Sequence, residues 1–173
     1  MGLFVPDHYF DTVYEVTPEM LIEKGIKGII LDIDNTLVPY EIPEPTEENV
    51  AWLKSMWDAG IKTAFVSNNH QDRVELYNEK LGCPAFWDSG KPFKKACRRA
   101  LEAMEVEASE AAIIGDQIFT DVLAGRNAKL ALAILVKPIK DKKSLFFRFK
   151  RVLEKPFIAS YNRKMKKKEQ KGE

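Results

Sequence analysis

Between residues 17 and 136 the chain alternates short, unbroken apolar stretches with longer segments whose apolar residues recur at helical spacing. The stretch at 28–31 (GIIL) is an apolar run too short for a core helix and reads as a buried strand, and 61–66 (IKTAFV), 85–87 (AFW), 111–114 (AAII) and 130–136 (LALAILV) read as further strands. Thr17 followed by Pro18 is a helix N-cap with proline at the first helical position, and Gly25 ends that short helix. Thr46 caps a second helix whose apolar face takes in Val50, Leu53 and Trp57, with Gly60 as its stop. Further helices are predicted at 70–81, closed by Gly82, at 92–104, opening on Pro92, and near 120–127. Residues 38–45 (VPYEIPEP) hold three prolines and form a stiff, extended loop. Strands separated by single helices imply right-handed crossovers and a mainly parallel sheet covered on both faces, a three-layer α/β/α sandwich. In such sheets ligands bind beyond the carboxyl ends of the strands.

The polar clusters fall at those ends. Asp32-Ile33-Asp34-Asn35-Thr36 leaves the first of these strands, and two carboxylates there raise each other's pKa unless a cation binds them. One carboxylate can attack phosphorus while its other oxygen holds a metal, and the second can transfer protons. Val66-Ser67-Asn68-Asn69 offers a hydroxyl and backbone amides at a helix start, which suits phosphate. Gly90-Lys91-Pro92 places a cation ahead of a helix, where it can neutralise a phosphoryl oxygen. Gly115-Asp116-Gln117-Ile118-Phe119-Thr120-Asp121 ends an apolar strand with two hard oxygen ligands of the kind magnesium prefers. Any one of these clusters alone would serve equally as a capped turn or, for Lys91, a solvated surface lysine.

Together, the order DxDxT, Ser, Lys, GDxxxTD over residues 32–121 resembles the four motifs of the haloacid dehalogenase (HAD) superfamily. The resemblance implies a Rossmann-like, HAD-like fold. It implies Asp32 as nucleophile and metal ligand, and Asp34 as general acid/base with its backbone carbonyl on the metal. Ser67 and Lys91 would hold the phosphoryl group, with Thr36 and Asn68 supporting the loop around it. Asp116 would bind Mg2+, and Asp121 would bind it through water or position Lys91. In terms of the resemblance, an acid at position 34 favours phosphatase or phosphotransferase over dehalogenase chemistry. The gaps between Thr36 and Ser67 and between Ser67 and Lys91 leave no room for a cap domain, so the site is open to a bulky substrate or to a lid from a neighbouring subunit. Over roughly residues 3–140, from VPDHYF through TPEML…KGIKGIILDIDNTLV to GDQIFTDVLAGRNA, the chain resembles the YqeG family, capless subclass IIIA phosphatases. That family is similar to mitochondrial phosphatases of phosphatidylglycerophosphate, which suggests a lipid substrate; a soluble sugar or nucleotide phosphate is the alternative.

Charge divides the chain in two. Residues 1–136 hold 13 Lys/Arg against 22 Asp/Glu, a net of −9, and residues 137–173 hold 14 against 4, a net of +10. A phosphatase domain over 1–140 is therefore expected, followed by a basic segment over 141–173 with a separate electrostatic task. Residues 144–157 read as an amphipathic helix with Leu145, Phe149, Val152 and Leu153 on one face and Arg148, Arg151 and Lys155 flanking it. Such a helix fits an anionic membrane surface, and packing on the sheet as a terminal helix is an equal alternative. Residues 163–173 (RKMKKKEQKGE) are expected to be disordered and available to anionic lipid or RNA. An RNA- or ribosome-associated binding protein is thus the rival from another class, although such a module has no need of Asp34 and Lys91 together. Cys83 and Cys97 are in no redox or metal spacing, and Trp52, Trp57 and Trp87 are expected in or near the core. His8 and His70 are expected in ordinary structural or surface roles. No apolar run approaches the roughly 20 residues of a membrane span, and no secretory signal is recognisable at the N-terminus. A cytoplasmic protein is expected, peripheral at the inner face of the membrane if the basic segment binds there.

Overall fold

A computed structural model describes residues 2–140 and 145–169. Six strands form one all-parallel sheet in the order β1-β6-β5-β2-β3-β4: β1 His8–Phe10, β2 Gly28–Leu31, β3 Lys62–Val66, β4 Ala85–Phe86, β5 Ala111–Gly115 and β6 Leu132–Val136. The helices are α1 Pro18–Glu23, α2 Glu47–Asp58, α3 Gln71–Asn78, α4 Lys95–Met104, α5 Leu123–Ala128 and α6 Leu145–Glu169.

The central strands are apolar throughout because both faces are buried, and their side chains alternate between two cores. Ile29, Leu31, Phe65, Ala112, Ile114, Ile134 and Val136 face one side, where Leu21 of α1, Leu53 and Met56 of α2, and Val74 and Tyr77 of α3 pack. Ile30, Ala64, Val66, Ile113, Ala133 and Leu135 face the other, against Cys97 and Ala100 of α4 and Ala124 and Ala128 of α5, with Phe157 and Ile158 of α6 beside them. The period of two along each strand separates the two cores. This is the expected three-layer sandwich, and no cap domain interrupts it among the described residues.

Several local expectations hold. The Thr17 hydroxyl accepts a hydrogen bond from the Met20 amide, and Thr46 forms a reciprocal capping box with Asn49. The buried face of α2 differs from the expected one: Leu53 is buried, but Val50 and Trp57 are exposed, and Asn49, Trp52, Leu53 and Met56 point inward. Asn49 explains the rotation. Its amide donates to the Tyr14 hydroxyl (2.8 Å) and the Leu37 carbonyl (2.9 Å), while its oxygen accepts from the Thr46 amide and the Tyr77 hydroxyl. A fully satisfied polar side chain can be buried at little cost, and here it turns the helix. Of the three tryptophans only Trp52 belongs to the core; Trp57 and Trp87 are exposed.

The sequence pattern did not reveal β1. Asp7 secures it at the sheet edge by accepting from the Ala133 amide (2.7 Å) and pairing with Arg126 of α5 (2.9 Å). The helix expected at 92–104 begins at Lys95, and a turn of π-helix, Ile118–Val122, precedes α5.

The C-terminal helix takes the second of its two expected roles, packing as a terminal helix, but through a different face from the one expected to be apolar. Val152 and Leu153, assigned to the apolar face, are exposed, whereas Glu154 and Tyr161 are buried and Phe157 and Ile158 pack against the second core. The side chains of Leu145, Arg148, Phe149 and Arg151, which completed the expected amphipathic face and its flanks, lie outside the described residues. The helix continues to Glu169, so residues 163–169, expected to be disordered, are helical; residues 170–173 lie outside the described residues.

Candidate active site

The chain leaves β2 for β3 on one side and reaches β5 on the other, so the carboxyl ends of β2, β3 and β5 meet where the winding direction changes. Asp32, Ser67 and Asp116 follow those three strands directly, and Lys91 follows β4. The ladder continues into the first two, with the Asp32 amide bonded to the Ile114 carbonyl (3.0 Å) and the Ser67 amide to the Phe86 carbonyl (2.9 Å). Asn35 then takes a left-handed backbone conformation (φ 63°), which Asn tolerates better than most residues, and turns the chain away from the strand.

An open cavity of about 270 Å³ lies over these ends, lined among others by Asp32, Asp34, Tyr40, Ser67, Asn68 and Lys91. Beneath it sits a group of three buried carboxylates, Asp32, Asp116 and Asp121, whose oxygens lie within 4.8 Å of one another. Lys91 is buried with them, its ammonium 2.8 Å from Asp32 Oδ1 and 2.6 Å from Asp121 Oδ1. Burial pushes the Asp32 carboxyl up to about 7; Lys91 opposes the shift, and Asp121 and Asp116 add to it. For Lys91, burial favours the neutral amine, but the carboxylates of Asp121 and Asp32 outweigh it and hold the ammonium above the usual lysine range.

With all four groups ionised, three negative charges face one positive charge, which leaves a buried net of −2. A divalent cation is the species that cancels it. Clustered carboxylate oxygens are the donors that magnesium or another hard cation takes. The residues present therefore fit such an ion. Asp121 is the member most committed elsewhere: Lys91 occupies Oδ1, while Oδ2 accepts from the Gln117 amide (3.1 Å) and the Thr120 hydroxyl (3.3 Å). The Asp121 side chain also fills the space beside Gly115, where an added Cβ would lie 2.2 Å from its carboxyl carbon. Any side chain at position 115 would displace it.

The remaining expected residues occupy distinct places. Asp34 lines the cavity, but its carboxylate turns toward Arg73 and Asn69 rather than into the acidic group. Ser67 is buried at the cavity floor, its hydroxyl accepting from the Asn69 amide (3.1 Å). The Asn68 side chain is engaged by Lys91 and Ser89: its oxygen accepts from the Lys91 amide (2.8 Å) and the Ser89 hydroxyl (2.7 Å), and its nitrogen donates to the Lys91 carbonyl (3.2 Å). Asn68 thus holds the lysine's backbone. Thr36 is buried beneath the turn, and its hydroxyl has no hydrogen-bond partner among the described residues.

Three contributors were not singled out in the sequence. Arg73 reaches Asp34 from the first turn of α3, and the only local signal was a basic residue one turn beyond Asn69. His70, expected in an ordinary role, lines the cavity mouth, with Nδ1 2.9 Å from Asp88 Oδ1. Glu154 of α6 accepts from the Ile118 amide (2.8 Å), at the start of the turn that carries Asp121.

A relative from Bacillus subtilis (strain 168), "Probable phosphatase YqeG", is 40% identical over 161 residues, which cover 93% of each chain. The chain belongs to the YqeG family. Residues 89–144, which include Lys91, Asp116 and Asp121, also match a hydrolase family described as HAD-hydrolase-like. Two solved structures support the HAD-like fold of this YqeG-family chain. The cobalt-bound deoxy-D-mannose-octulosonate 8-phosphate phosphatase (YrbI) of Haemophilus influenzae matches with a TM-score of 0.54 at 17% identity, covering 80% of this chain and 91% of its own. An uncharacterized protein from Listeria monocytogenes serotype 4b matches with the same TM-score and identity, covering 69% and 85%.

Proposed function

We propose that this protein is a magnesium-dependent phosphatase that hydrolyses a phosphate monoester through phosphorylated Asp32. One observation carries the reading: Asp32 is the member of the acidic cluster that also lines the cavity. It alone of the three can meet a substrate in the cavity while sharing a cation with Asp116. Its phosphatase relative in Bacillus subtilis supports the same reaction class.

Each residue then has a task. An Asp32 oxygen attacks phosphorus in line with the departing ester oxygen. Lys91 sits against that carboxylate, where its charge neutralises the phosphoryl oxygens as negative charge builds. Ser67 and the loop held by Asn68 and Thr36 seat the phosphoryl group. Asp34 gives a proton to the leaving oxygen and takes one from the hydrolytic water. Asp32, Asp116 and the Asp34 carbonyl would hold Mg2+, with Asp121 acting chiefly on Lys91. When bound, the ion offsets the charge of the carboxylates and orients the phosphoryl oxygens.

Among substrates, phosphatidylglycerophosphate is our preferred one. The cavity is open and has no cap among the described residues, so a bulky ester can enter. The outer face of α6 exposes Val152 and Leu153 together with Lys155, Arg163 and Lys164, a composition suited to an anionic lipid surface. The purified protein should be assayed with Mg2+ against phosphate esters that include phosphatidylglycerophosphate and soluble sugar and nucleotide phosphates, with Asp32→Asn as control. Release from the lipid ester by the wild type alone is expected. No Mg2+-dependent release from any ester would overturn the enzyme reading, and release from soluble esters alone would overturn the lipid assignment.

A further inference from the structure

Both oxygens of the Asp34 carboxylate are held by side chains that follow β3. Arg73 donates to Oδ1 from Nε (3.2 Å) and Nη2 (3.0 Å), and Asn69 donates to Oδ2 from Nδ2 (2.9 Å). The Asn69 amide cannot flip without loss, because its own oxygen accepts from the His70 amide (2.8 Å). The ion pair is largely shielded, with side chains 13% and 11% exposed for Arg73 and Asp34. Arg73 is itself fixed: Nη1 donates to the Pro43 carbonyl (2.7 Å) in the proline-rich loop, and its guanidinium lies 5.7 Å from the centroid of the buried Tyr77 ring. A planar guanidinium anchored at this many points directs its fork with little loss of rotamer freedom.

We propose that Arg73 is the positioning residue of Asp34, and that it acts on hydrolysis of the phosphoenzyme rather than on its formation. The inference rests on the roles given to Asp32 and Asp34 above. In formation, an Asp32 oxygen bonds to phosphorus and the bond from phosphorus to the ester oxygen breaks. The electron pair leaves on that oxygen, which takes the proton of Asp34. In hydrolysis, water oxygen bonds to phosphorus and the Asp32–phosphorus bond breaks. Its electron pair returns to the Asp32 carboxylate, and the water's proton passes to Asp34. Asp34 enters only the second step as a carboxylate. The three N–H groups converging on it are donors without an acceptor among them, so they match the carboxylate and aim it. Loss of Arg73 leaves Oδ1 unheld and the carboxylate tethered by Asn69 alone, able to turn about that one bond, and misplacement of a general base is costly because proton transfer needs hydrogen-bond reach.

An aryl ester separates the two steps. p-Nitrophenolate departs without a proton, so phosphoenzyme formation from p-nitrophenyl phosphate is indifferent to Asp34, while hydrolysis is not. With this ester and Mg2+, Arg73→Ala is expected to lower kcat by about 10- to 100-fold. KM falls with it, so that kcat/KM, which reports formation, stays within about threefold of the wild type. Rapid mixing should show a nitrophenolate burst, and acid quenching a phosphoenzyme occupancy above that of the wild type. Arg73→Lys, which keeps the charge and loses the fork, should show a smaller burst; it also provides the readout if circular dichroism shows Arg73→Ala unfolded. Equal falls in kcat and kcat/KM without added phosphoenzyme, or unchanged kinetics, would overturn the proposal while wild-type turnover abolished by Asp32→Asn left the phosphatase reading standing. A wild type that turns over no ester would overturn both.

Discussion

The acidic cluster and the C-terminal helix share one loop, residues 116–122, yet their chemistry is encoded in opposite ways. The cluster is made of short motifs. Asp32 follows β2, Asp116 follows β5, and four residues link Asp116 to Asp121, so each acid is fixed by the strand just before it. The helix is encoded in long-range contacts of single residues. Its composition is basic, but its attachment to the site depends on Glu154, which accepts from the Ile118 amide, and on Phe157, which packs on Phe4 and Phe119. Net charge described the exposed side of this helix; packing on the sheet was the alternative reading, and its residues were not identifiable from charge or period. A charged tail can thus act as a brace for the loop that carries Asp116 and Asp121, and the brace is recognisable by its buried acid.

The largest effect expected on the cluster side is on the reaction itself. Asp32→Asn removes the attacking oxygen's charge and should lower Mg2+-dependent phosphate release by on the order of 10⁴-fold or more, with the sheet intact by circular dichroism. Activity within tenfold of the wild type would dissolve the comparison, because the cluster would then not be the reacting centre.

The helix side predicts losses of stability. Phe157→Ala removes part of an aromatic group of three, and such truncations at a partly buried site cost about 2–3 kcal/mol, read as a lower Tm. Glu154→Ala strands the buried Ile118 N–H, at about 1–3 kcal/mol, whereas Glu154→Gln keeps a carbonyl acceptor and should recover much of the loss. Because Ile118 opens the turn that presents Asp121, Glu154→Ala should also lower kcat more than Glu154→Gln does. A tail independent of the site would leave both Tm and kcat unchanged in all three variants.

The difference in encoding also explains what the sequence disclosed. β2, β5 and β6 were legible because unbroken apolar runs have few other uses in a chain with both sheet faces covered, and β3 because it ends in such a run, Ala64-Phe65-Val66. Ser67, Lys91, Asp116 and Asp121 were legible because each stands within a few residues of a strand end. β1 was not, since its three half-buried residues have no period and depend on Asp7 and Arg126 for their place. The face of α2 was misjudged because Asn49, polar in sequence, is fully satisfied inside by partners up to 35 residues away. Arg73 and Glu154 escaped for the same reason: a charge shielded from solvent is defined by its partner, and both partners are distant in sequence.

The remaining expected effect is the sharpest in sign, and it bears on the cluster alone. Without metal, burial raises the Asp32 carboxyl from an ordinary value near 3.8 to about 7. Between those values the folded protein binds a proton that the unfolded chain releases, so this group's contribution to stability falls as pH rises through the window. Asparagine does not titrate. In chelator, then, the Tm of Asp32→Asn relative to wild type should climb as pH goes from about 4 to about 7 and level off above. Added Mg2+ should narrow the gap at pH 8 by stabilising the wild type more than the variant, since an ion that binds the folded state raises its Tm and the variant offers one carboxylate fewer. A gap that stayed flat or closed with rising pH would mean that Lys91 alone satisfies the three acids and that the buried charge requires no cation.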